Sequence, residues 1–117
     1  MGGVSVVPVP VREKLRAVTK DLGSQARVAR ALGVSPSRVS RWLRQGEDPD
    51  PENRRKLEGL EFVLARLLQV YVPELAVDWL LARNPWLGER QAMDLIAEGR
   101  ITEVLQAVDA SESLGYA

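Results

Sequence analysis

The chain has no cysteine and no histidine in its 117 residues. Their absence removes disulfides, thiol nucleophiles, histidine proton transfer and His/Cys zinc sites. No Gly-rich phosphate loop occurs either. The expectation is a protein that is not an enzyme and carries no catalytic residues, cofactor or metal; only carboxylate chemistry is left open. No apolar run approaches the roughly 20 residues that cross a bilayer. The opening MGGVSVVPVPV is apolar, but it has no basic n-region and holds two prolines, which argues against a signal peptide. Acylation at Gly2 would want Ser or Thr at position 6, where Val6 stands. The chain reads as cytoplasmic, with no membrane partner and residues 1–10 as an N-terminal arm.

What is present is ordinary for a folded domain: 45% hydrophobic and 27% charged residues. The formal net charge is zero, but it is unevenly spread. Residues 1–58 hold twelve basic and seven acidic side chains, so residues 59–117 hold four and nine. A basic half joined to an acidic half implies two partners of opposite demand.

Apolar spacing reads as helix throughout, with no alternating strand beyond the arm. Leu15, Val18 and Leu22 define a first helix from Val11 to Leu22, stopped by Gly23. Ser24 caps a second, which carries Ala26, Ala29 and Leu32 and turns at Gly33. Ser35 caps a third, with Pro36 at its first position. The acidic, proline-bearing stretch from Gln45 to Asn53 reads as a seam. A long helix then runs from Pro51 or Glu52 to about Val72. Leu57, Leu60, Leu64, Leu67 and Tyr71 step along it as a coiled-coil seam would. That stripe reads as a core helix, a dimer interface, or both. A helix opens at Pro73, RNPWLGER forms a turn, Gln91–Glu98 is a short helix, and a last helix starts near Thr102. SESLGYA reads as a polar tail. The expected class is all-α, divided at residues 11–50, 51–72 and 73–117.

The second and third helices fit a helix-turn-helix. Ala29 stands four before Gly33, where the helices cross closely, and Val34 follows the glycine. Val39 and Trp42 fall six and nine past it, as buried positions. The outward face presents Ser35, Ser37, Ser40, Arg38, Arg41 and Arg44, with Gln25 at the start of the helix before. Arginines and hydroxyls suit guanine edges and phosphates in a major groove. From Arg12 to Arg44 nine basic residues face two acidic ones, enough to draw the segment to duplex DNA.

Trp79 to Asp109, WLLARNPWLGERQAMDLIAEGRITEVLQAVD, resembles the toxin-binding domain of Xre/MbcA/ParS-type antitoxins. The matching residues are Trp79, Asn84-Pro85, Leu87-Gly88, Asp94 to Ile96, Gly99-Arg100 and Val104-Leu105. Gln91-Ala92-Met93 departs from a pattern that often has proline there. With the helix-turn-helix upstream, the resemblance spans the chain from about Val11 onward. It implies a homodimeric antitoxin that is not an enzyme. It also implies a RES-domain, NAD-consuming toxin as partner and operator DNA of its own operon. By the same resemblance the toxin-facing residues are Trp86, Arg100 and the tail from Ser111, with Glu112, Tyr116 and Ala117 within it. Trp79, on an apolar face, reads as core. The alternatives are a simple dimeric repressor without a toxin, and a toxin inhibitor whose helix-turn-helix no longer reads DNA.

Overall fold

The computed structural model describes residues 10–113. Seven α-helices follow in order: α1 Val11–Leu22, α2 Gln25–Leu32, α3 Pro36–Arg44, α4 Pro51–Leu67, α5 Pro73–Leu81, α6 Ala92–Ala97 and α7 Ile101–Ser113. The fold is all-α in class, as expected. Proline opens α3, α4 and α5, where its missing N–H costs nothing and its fixed φ suits the first turn.

Two turns have the same construction. Gly33 (φ 71°) follows α2, and the Val34 N–H reaches back to the Ala29 carbonyl at 2.9 Å. Gly99 (φ 80°) follows α6, and the Arg100 N–H reaches the Leu95 carbonyl at 2.9 Å. Both are Schellman turns, which need a left-handed residue and so favour glycine.

Three expectations are corrected. First, α4 stops at Leu67, not near Val72. Pro73 forces the residue before it out of helical geometry, and Val72 is extended at ψ 160°. The chain therefore leaves the helix in a turn through Tyr71, whose N–H meets the Leu67 carbonyl at 2.8 Å. Second, RNPWLGER is more than a turn. Arg83–Asn84 (β1) pairs antiparallel with Arg90–Gln91 (β2), and Pro85–Leu87 makes one 3₁₀ turn between them. Third, Ser111–Ser113 belongs to α7 rather than to a tail.

The seam on α4 is also placed. Leu57, Leu60, Leu64 and Leu67 are buried within this one chain, and Tyr71 packs half-buried against the same core. α4 lies against α1, α2, α6 and α7. The four leucines are spent on the chain's own interior, while Tyr71 keeps part of its surface exposed. The large apolar residue that α4 leaves outside is Phe62, 66% exposed.

The buried residues form one cluster running from Leu15 in α1 to Val108 in α7. α1 packs on α5 and α2 on α6, so residues on both sides of the expected boundaries share this core. Polar contacts follow the same junction. Arg30 on α2 donates to Gln91 and meets Asp94 of α6 at 3.3 Å. The Lys56 ammonium of α4 approaches the Leu32 carbonyl at 3.5 Å. Among the described residues no helix is long and apolar enough to cross a membrane.

Candidate nucleic-acid interface and partner face

Two capping serines frame the helix pair. Ser24 Oγ accepts the Arg27 N–H at 3.2 Å, and Ser35 Oγ accepts the Arg38 N–H at 3.4 Å. Such caps satisfy N–H groups that the helix itself cannot. Val28, Ala29, Leu32, Val39 and Trp42 are all buried beneath the pair. The turn positions read from the sequence thus all fall where a helix-turn-helix puts them.

The outward face of α3 is laid out along its length. Ser35 and Ser37 are exposed at its start, their hydroxyls 3.1 Å apart. Arg38 lies over the Trp42 ring, 5.4 Å from the centroid, and its Nη2 meets Asp50 at 3.2 Å. Arg41 is exposed and faces Glu47 at 3.5 Å. Arg44 is exposed, with no ion pair among the described residues. Ser40 is half-buried, as is Gln25 at the first position of α2.

The acidic residues after α3 are what sequence reasoning missed. Glu47, Asp48 and Asp50 fall in the stretch that reads as a seam, yet they pair with Arg41, Arg54 and Arg38. The available signal was the placement of an acidic run directly after a basic helix. Asp50 also accepts from the Asn53 amide at 2.5 Å, and that bond, ahead of Arg38's charge, lowers its pKa. Arg30, one of the basic residues expected to attract DNA, is instead tied to the α6 side of the molecule.

The second candidate face is built on the β1–β2 hairpin. Asn84 is buried, and its side-chain oxygen accepts the Trp86 N–H at 3.0 Å. Its carbonyl accepts the Glu89 N–H at 2.9 Å. These bonds hold the 3₁₀ turn closed and leave Trp86 43% exposed. Arg100 is exposed beyond the Gly99 turn and bonds Glu103 at 2.7 and 2.8 Å. Glu98 links Arg100 to Arg90 on β2, giving a chain of four charges. Glu112 is half-buried on α7 and meets Arg66 of α4 at 3.4 Å; Arg66 also holds Asp109 at 2.5 Å. Glu112 therefore braces α7 to α4. Trp79 is half-buried against the core, and its indole N–H lies 3.4 Å from Ser111 Oγ. Tyr116 and Ala117 lie outside the described residues.

The charge chain sets a pH dependence. Hydrogen bonding from Arg90 lowers the Glu98 pKa, and hydrogen bonding from Arg100 lowers that of Glu103. A depressed carboxylate stabilises the fold above its unfolded pKa and loses that contribution as pH falls through the folded value. Glu98→Gln should therefore melt below wild type at neutral pH, with the gap closing below about pH 4. Both side chains are exposed, so 1 M salt should shrink the gap. Paired thermal melts across pH 3–7 check this; a gap independent of pH would rule out the ion pairs as its source.

Residues 19–59 match the family model described as helix-turn-helix. No curated protein matches the sequence. The fold is similar to a chain in the crystal structure of the M. tuberculosis MbcT–MbcA toxin–antitoxin complex, with a TM-score of 0.75. Identity is 26%, covering 95% of this chain and all of that one. The chain thus carries a helix-turn-helix domain within an antitoxin-like fold, in agreement with the resemblance read from Trp79 to Asp109.

Proposed function

We propose that this protein is an antitoxin. It neutralises a protein toxin through the hairpin half and reads operator DNA through α3, repressing its own operon. The observation that carries the reading is the match over nearly the full chain to a chain of a toxin–antitoxin complex. The exposed Trp86 supports it, since a half-exposed tryptophan on a rigid turn is a natural anchor for a partner. The toxin in this proposal is a RES-domain enzyme that consumes NAD, and the antitoxin itself catalyses nothing. Arg100, Glu112, Tyr116 and Ala117 join Trp86 on the toxin side. Gln25, Ser35, Ser37, Arg38, Ser40, Arg41 and Arg44 face the DNA. The homodimer in this proposal uses the α4 face around Phe62, since Leu57, Leu60, Leu64 and Leu67 are already buried in the chain's own core. Lys14, Glu58, Glu61 and Ala65 surround Phe62 there, and Lys14 pairs with Glu61 of its own chain at 3.7 Å.

The test is a growth assay. The neighbouring reading frame is expressed alone and with this protein, while growth and cellular NAD are followed. Arrest with falling NAD, relieved by this protein, is the expected result. Trp86→Ala should weaken the complex at least about tenfold without changing the melting temperature by more than a few degrees. Removing residues 114–117 tests Tyr116 and Ala117 separately. A harmless neighbour, or no rescue by the wild type, makes the protein a simple dimeric repressor.

A further inference from the structure

Arg38 is held from two directions. Its guanidinium lies over the Trp42 ring, and Nη2 donates to Asp50 Oδ1 at 3.2 Å. That oxygen also accepts from Asn53, which is buried in the first turn of α4. A carboxylate anchored in the next helix therefore restrains an arginine in the first turn of α3. The N-terminal residues of a recognition helix are the ones that reach base edges. Arg41 and Arg44 sit one and two turns further along, and neither has such a double restraint.

We propose that Asp50 is a specificity-determining positioning residue: it presents Arg38 to a base edge and leaves Arg41 and Arg44 to phosphates. This rests on the DNA-reading half of the proposed function. A free arginine is drawn to the nearest phosphate, an attraction blind to sequence. Pairing with a carboxylate offsets that pull and keeps the planar fork in one orientation. Asp50 takes one of the five guanidinium donors, and the structure gives Arg38 no other side-chain hydrogen bond among the described residues. The side chain is 43% exposed, and the donors left over suffice for two parallel acceptors, the pattern that guanine offers in the major groove.

The test selects duplexes with a randomised core, using the full chain as wild type, Arg38→Ala, Asp50→Asn and Asp50→Ser. The Asp50 side chain makes no capping bond to α4, and Asn and Ser are favoured at N-cap positions, so both variants remove the carboxylate without costing the helix its start. Thermal melts confirm that each variant folds. The wild type should enrich a motif containing a guanine, and Arg38→Ala should identify it by losing that preference. Both Asp50 variants should lose about tenfold of the same preference. They should bind the unselected pool at least as tightly as wild type, with a steeper salt dependence. Asp50 variants that keep the wild-type preference at the position Arg38→Ala erases would overturn the inference while leaving DNA reading intact. A wild type that enriches no motif would overturn DNA reading, and this inference with it.

Discussion

Gly59→Val should cost about 3 kcal/mol and lower the melting temperature by roughly 10 °C. Gly59 is buried in the middle of α4, where helix propensity alone would favour almost any other residue. A Cβ there would lie 2.4 Å from Ile101 Cγ1 and 2.6 Å from Cδ1, far inside van der Waals distance. Ile101 opens α7, so a side chain at 59 must push α7 away from α4 or force Ile101 out of its rotamer. Gly59→Ala is the milder case, because a propensity gain of up to about 1 kcal/mol offsets part of the clash. The decisive measurement is a double-mutant cycle. Ile101→Ala makes room, so Gly59→Ala in that background should cost less than in wild type, or even stabilise. Strict additivity would show that the close approach of α4 and α7 is not what selects glycine.

Replacing Arg38 and Arg41 together by alanine should weaken operator binding about 30- to 10⁴-fold. That range corresponds to ~1–3 kcal/mol for each arginine–DNA interaction removed. The effect exceeds removal of two positive charges alone, since Asp50 and Glu47 are left facing the duplex without their partners. The variant should melt close to wild type, because both guanidinium groups lie at the surface. The salt dependence should also become shallower with each phosphate interaction that disappears. Titration of the duplex upstream of the gene at several salt concentrations reads both effects. Unchanged affinity would mean that α3 is not the helix in the groove.

The helix-turn-helix was legible because its signals are local. A capping serine, a left-handed glycine and four apolar positions at fixed offsets lie within twenty residues, and each does its expected work. The seam on α4 was legible as a stripe but not as to what covers it. Periodicity says which face of a helix is apolar; it does not say whether α7 of the same chain or a second copy lies against it. The fate of Arg38 was illegible for another reason. A sequence gives the sign of Asp50 but not that the α3–α4 connection folds it back onto α3. The hairpin around Trp86 escaped because two-residue strands leave no alternation to detect. Its cause, a buried asparagine capping a proline-led 3₁₀ turn, resembles any loop until Asn84 is seen inside.

α2 lies between α3 on one side and α6 on the other, with Arg30 bonded across the second junction. Each side of the molecule thus supplies part of the other's interior. Exchanging the helix-turn-helix alone between relatives would therefore disrupt an interior that both halves build. A chimera joined at residue 50 would inherit an α2 surface fitted to a foreign α6. Under the proposed function, a change of operator falls to the outer face of α3 and a change of toxin to the hairpin, on either side of a junction that both share.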